Sequence, residues 1–156
     1  MTINIGISEQ HRQTLARHLC KLLASTYALY LKTQNFHWNV TGEHFHSLHL
    51  LFEAQYGALA EAVDTIAERV RALGVKAPGG FKVFSDLSEV KDETRDLTAT
   101  EMLAQLLKDH ETVNHLAISL QSVCDEASDE VTADLLIDRM GSHQKTAWML
   151  RSLLHT

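Results

Sequence analysis

The sequence predicts an all-α chain, a four-helix bundle with one long crossover that carries a short helix. Three observations lead there. Apolar residues recur at helical rather than strand spacing through four long segments. A single proline, Pro78, interrupts 156 residues, which argues against a strand-and-turn architecture. The connections between the segments are short, long and short, the connectivity of two helical hairpins joined by a crossover.

Each element has its own signal. The first segment runs from about Ser8 to His37, with Leu15, Leu19, Leu22 and Tyr30 on one face. The second starts near Thr41-Gly42-Glu43 and carries Phe45, Leu48, Phe52, Leu59, Val63 and Ile66 to about Leu73. Gly74 is suited to the left-handed position that ends a helix, and Pro78-Gly79-Gly80 enforces the stop. Val75 to Leu97 forms the crossover, with a short helical turn expected around Val83 to Leu87. Thr98 with Glu101 three residues on is a capping box that opens the third helix, which reaches roughly Asp125. The last helix begins after Ser128 and runs to about Leu154. Asp129 and Glu130 in its first turn complement the positive end of the helix dipole.

Composition narrows the class. A chain of 156 residues with 45% hydrophobic content is one domain, 1–156, large enough for a real core. No apolar run approaches the roughly 20 residues that span a bilayer. Met1 to Gln10 lacks the basic and then apolar pattern of a secretory signal, so a cytoplasmic protein is expected. Cys20 and Cys124, both on apolar helical backgrounds, read as small hydrophobes in a reducing compartment.

Five residues carry the chemistry: His37, His49, Glu53, Asp64 and Glu68. The last four form two pairs at i,i+4 spacing, which places each pair on one side of a helix, a turn apart. Either pair taken alone reads as solvated helix surface or a hydrogen-bonded histidine, and the joint pattern is what singles them out. Imidazole with carboxylate suits iron, zinc or manganese better than a metal that prefers thiolate. Glu53 and Asp64 are eleven residues apart, close to three turns, so they point the same way yet sit roughly 16 Å apart along the axis. No ion bridges that gap within one straight helix. If both pairs serve one centre, the second pair comes from another copy, packed antiparallel about a twofold axis with His37 joining from the preceding helix. The sequence thus predicts an interfacial metal site.

The run Asn35-Phe36-His37-Trp38-Asn39-Val40-Thr41-Gly42, followed by Phe45, Leu48-His49, Phe52-Glu53, Tyr56 and Asp64-Thr65-Ile66-Ala67-Glu68-Arg69, resembles the Dps family, the mini-ferritins named as DNA-binding proteins from starved cells. The likeness continues through Ala72-Leu73-Gly74, Thr132-Ala133-Asp134-Leu135 and Lys145-Thr146-Ala147-Trp148-Met149-Leu150. The resemblance implies a ferritin-like fold that assembles into a hollow dodecamer with tetrahedral symmetry. It also implies that His37 and His49 are ligands and that Asp64 and Glu68 face them from the neighbouring subunit. Glu53 stands where many members carry Asp, so direct ligation, ligation through water and no ligation all stay open there. The implied activity is a ferroxidase: Fe(II) is oxidised, with hydrogen peroxide as oxidant, and ferric mineral collects inside the shell. Zinc is a possible substitute at the site. Trp38, next to His37, is either a packing aromatic or an interceptor of stray oxidising equivalents, and the two roles can coexist.

A ferritin-like di-iron centre inside one bundle needs a Glu-x-x-His motif on each of two helices. One match exists, Glu43 to His46, at the very start of the second helix. The bundle core is therefore expected to be apolar, and His44 and His46 to be exposed first-turn residues.

An acidic cluster, Asp125, Glu126, Asp129, Glu130, Asp134 and Asp138, surrounds the last interhelical turn. Much of it reads as solvated surface. In Dps relatives this region lines threefold pores, which makes Asp125, Asp129, Asp134 and Asp138 pore candidates, with Asp134 foremost because it sits in the matching motif. The charge pattern argues against DNA binding. Phosphate neutralisation needs Lys and Arg, yet neither Met1 to Gln10 nor Leu153-Leu154-His155-Thr156 has any, and 14 basic residues face 20 acidic ones. The competing reading is a non-enzymatic shell that protects DNA or binds a partner, with the ligand set empty or zinc-loaded.

Overall fold

A computed structural model describes residues 3–154, and Met1, Thr2, His155 and Thr156 of the two terminal segments lie outside it. Helix α1 is Glu9–Asn39, α2 is Phe45–Ala72, α3 is Phe81–Leu87, α4 is Ala99–Ala127 and α5 is Glu130–Leu154. Among the described residues there is no strand. The hairpins α1–α2 and α4–α5 pack together chiefly through α1 and α4, and α3 lies against α1 within the crossover.

The boundaries follow from local chemistry. Ser8 caps α1 by accepting the His11 N–H at 3.2 Å. Thr98 and Glu101 form the reciprocal capping box of α4, with Glu101 accepting the Thr98 N–H at 2.8 Å. Gly74 ends α2 at φ +87°, where a Cβ would also come within 2.1 Å of Ile3 Cδ1. The carboxylate of Asp129 caps α5 by accepting the Thr132 N–H at 3.0 Å.

Leu15, Leu19, Leu22, Phe52, Ile66, Leu106, Leu120, Leu136 and Leu150 are essentially inaccessible and form the spine of the core. Deleting a side chain such as Phe52 to Ala would cost about 3–5 kcal/mol in lost burial and cavity. The interior is not purely apolar, which corrects the expectation drawn from the missing Glu-x-x-His pair. Lys32 donates to Asp109 at 2.6 Å with both side chains buried, and the same carboxylate accepts from Gln105. His110 on α4 and His143 on α5 share a hydrogen bond, Nδ1 to Nδ1 at 2.9 Å. The absent motif spoke only to one ligand arrangement. Polar groups enter a helical core wherever two helices can pair them, and i,i+3 and i,i+4 apolar periodicity does not register such cross-helix pairs.

Candidate metal centre

His37 lies in the last turn of α1 and His49 in the second turn of α2, on either side of the short α1–α2 connection. Their rings stack with centroids 3.8 Å apart and planes 16° from parallel. His37 Nδ1 lies 2.8 Å from the carbonyl oxygen of His49, and His49 Nδ1 lies 2.8 Å from the carbonyl oxygen of His37. A carbonyl oxygen only accepts, so both Nδ1 atoms carry the proton. In the neutral rings this leaves a lone pair on each Nε2, the tautomer a metal ligand needs. The carbonyl of His37 belongs to the last turn of α1, where the helix leaves carbonyls without backbone partners. His49 satisfies one of these while fixing its own ring.

Phe45 sits 5.2 Å from the His49 ring and Tyr56 5.1 Å from the His37 ring, so apolar faces flank the pair. His37 is buried and His49 half-buried. Glu53 follows one turn after His49 on α2 and is exposed. Asp64 and Glu68 are also exposed, further along the same unbroken helix. Glu68 lines an open groove of about 640 Å³ between α2 and α5, with Glu61, Thr65, Arg69, Asp134 and Asp138. Among the described residues no three His, Cys, Asp or Glu side chains converge on one point. The His37–His49 pair and the Asp64–Glu68 pair thus lie apart within one protomer. The neutral imidazoles fit a transition metal by donor type, and carboxylates would complete the set.

Trp38 is 61% exposed, and the aromatic ring against His37 is Tyr56 instead. Sequence reasoning missed Tyr56 as a site residue. The available signal was its spacing, three residues after Glu53 and seven after His49, which returns it to the same helix face. Glu43, His44 and His46 are exposed. Asp125, Asp134 and Asp138 are exposed, whereas Asp129 is only 3% exposed. The Asp129 carboxylate accepts from Arg69 at 2.8 Å and also from the Thr132 hydroxyl. Burial disfavours its charged form, but the bonds from Thr132 and Arg69 outweigh burial and hold its pKa below the usual carboxylate value. Asp129 therefore joins α2 to α5 and caps a helix, and its carboxylate is not free to line a pore. The capping position was legible in sequence; the arginine sixty residues away was not.

No described helix is long and apolar enough to cross a membrane. The family model for the ferritin-like domain matches residues 16–156. A low temperature-induced protein of Nostoc sp. is 42% identical over 154 residues, covering 97% of this chain and 86% of that protein. A DNA protection during starvation protein of Brevibacillus brevis is 35% identical over 144 residues, covering 92% of this chain and 96% of its own. A Dps protein from Vibrio cholerae O1, described as a member of a broad superfamily of ferritin-like diiron-carboxylate proteins, superposes with a TM-score of 0.94. It is 28% identical and covers 99% of this chain and 98% of that one. The helix order, the histidine pair at the α1–α2 connection and these likenesses agree, and the chain belongs to the Dps proteins of the ferritin-like family.

Proposed function

We propose that the protein oxidises Fe(II) at centres shared between subunits and stores the ferric product inside a homo-oligomeric shell, a dodecamer by family resemblance. The observation that carries this reading is the His37–His49 pair. Its two Nδ1–H groups are consumed by backbone carbonyls, which leaves both Nε2 lone pairs for a metal ion. The partner copy's carboxylates, at the positions of Asp64 and Glu68, supply the anionic side of the centre, and Glu53 lies nearby. Anionic oxygen donors favour Fe(III) over Fe(II), which helps drive the oxidation, and a small donor set leaves positions open for the oxidant.

Iron is the substrate and hydrogen peroxide the oxidant. Two Fe(II), one peroxide and two waters give two ferric oxyhydroxide units and four protons, so no one-electron product of peroxide is released. Exposed Asp134, with Asp138 one turn on along α5 and exposed Asp125 in the last turn of α4, supplies the negative potential that draws cations toward the interior. Protection of DNA then follows from consuming iron and peroxide rather than from coating. The chain carries a net charge of −6 with histidine neutral, and phosphate binding needs basic groups. The assembly works in the cytoplasm. Anaerobic loading with Fe(II), followed by peroxide, tests the reading. Ferric absorbance should rise at two irons per peroxide with iron retained in the assembly, and its failure to rise above the protein-free rate would refute the activity.

A further inference from the structure

The chain has three tyrosines, and all three lie in one line of touching rings that begins at His37. Tyr56 meets His37 edge to face at 5.1 Å and 76°. Tyr30 meets Tyr56 at 6.0 Å and 77°, and Tyr27 meets Tyr30 at 5.6 Å and 63°. Phe84 of α3 closes the line at 4.9 Å from Tyr27. Every step falls within the range of about 4.5–7 Å for aromatic contact. From His37 to Tyr27 the line runs back along α1 for about 15 Å. All three tyrosines are partly exposed, which gives each phenol proton a route to solvent. Tyr27 borders two grooves beside α3, so the line ends at the surface rather than in the core.

We propose that Tyr56, Tyr30 and Tyr27 form a relay that carries one oxidising equivalent from the metal centre to the α1–α3 surface; this rests on the ferroxidase reading above. The need arises when peroxide meets a centre holding a single Fe(II). Reduction of peroxide to two waters takes two electrons and two protons, and one Fe(II) supplies only one electron. Tyr56 supplies the other. Its O–H bond breaks, the electron goes to the centre and the proton to water, which leaves a neutral tyrosyl radical beside Fe(III). Tyr30 and then Tyr27 each give up an electron and a hydroxyl proton in turn, restoring the preceding phenol. Phe84 has no hydroxyl, so the radical rests at Tyr27. A later Fe(II) delivers one electron and water returns one proton, re-forming the phenol and a second Fe(III). The total remains two Fe(II) per peroxide.

The relay assigns to Tyr56 the role that adjacency in sequence suggested for Trp38. Among the described residues the rings against the two ligand histidines, besides each other, are Tyr56 and Phe45. A packing role alone would require ring shape but not the hydroxyl.

The experiment loads the intact assembly anaerobically with less than one Fe(II) per centre, adds peroxide, and freezes samples at intervals. Ferric absorbance reports the centre, and electron paramagnetic resonance reports the tyrosyl radical. The wild-type protein should show both. Tyr56→Phe keeps the ring and should lose the tyrosyl signal and slow ferric formation at this low loading, whereas Trp38→Phe should keep both. Tyr30→Phe, a second variant, should confine the radical to Tyr56 and change its hyperfine splitting. Ferric formation without a tyrosyl signal in the wild type, or an unchanged spectrum in Tyr56→Phe or Tyr30→Phe, would overturn the relay and leave the oxidation reading standing. Absence of ferric formation in the wild type would remove both.

Discussion

His37 and His49 hold each other by their backbones: each ring Nδ1–H donates to the other residue's carbonyl at 2.8 Å, and the rings stack at 3.8 Å. Each residue is therefore both a candidate ligand and the positioning partner of the other. His49→Ala should remove one ligand and also release the His37 ring. Orientation partners of metal-bound histidines are worth about 10–100-fold in affinity or activity. The loss in His49→Ala should exceed that range, with helix content by circular dichroism unchanged. Iron-binding isotherms and initial oxidation rates check it.

Asp134 and Asp129 separate entry from architecture. Asp134→Asn changes an exposed charge, so iron uptake should slow, most at low ionic strength, with the thermal midpoint unmoved. Asp129→Asn weakens the α5 cap and the bond to half-buried Arg69, and should cost about 1–3 kcal/mol of stability. Uptake kinetics and melting curves on both variants give the comparison. A large uptake defect with no loss of stability in Asp129→Asn would contradict the assignment.

Lys32 and Asp109 form a buried ion pair between α1 and α4. Lys32→Met leaves the Asp109 carboxylate buried without its partner and should destabilise by about 3–5 kcal/mol. Adding Asp109→Leu should recover most of that loss, because the uncompensated charge disappears with it. Denaturant titrations of the single and double variants measure the coupling.

The bundle holds a pH-dependent element in His110 and His143. Burial, with Arg139 nearby, pushes the pKa of His110 down to about 3. Burial, then His110 and Arg139, pushes His143 down to about 2. Unfolded histidine titrates near 6.5, so between about pH 6.5 and 3 the unfolded chain binds protons that the folded chain refuses. Their contribution is complete above about 6.5 and is lost as the pH falls. Thermal midpoints should decline over that window, and the double variant His110→Leu, His143→Leu should flatten the decline.

Much of this was legible in the sequence because the signals are local. The capping box at Thr98–Glu101, the stop at Gly74 and the short helix before Ser88 each declare themselves within a few residues, and the structure places them there. The spacing of His49 and Glu53 from Asp64 and Glu68 was legible too, since one unbroken helix carries all four. What was not legible depends on which side chains meet across helices. The pairing of Lys32 with Asp109, of His110 with His143 and of Arg69 with Asp129 joins residues 77, 33 and 60 positions apart. The mutual lock of His37 and His49 was hidden for another reason: it is made with backbone carbonyls, which no residue pattern marks.

One centre should draw its ligands from two chains, because roughly 16 Å separates Glu53 from Asp64 along one unbroken α2. It is tested by mixing His49→Ala with Asp64→Ala. In each variant alone every centre is damaged. In a mixed dimer, one centre combines His49 and Asp64 from intact positions and the other carries both defects, so up to about half of the activity per mixed dimer should return. Iron oxidation rates of co-assembled material, with mixing verified by native mass spectrometry, give the answer. Recovered activity in the mixed shells, and little in either variant alone, is the expected result. Verified co-assembly of correctly folded variants with no recovery would contradict a centre shared between subunits.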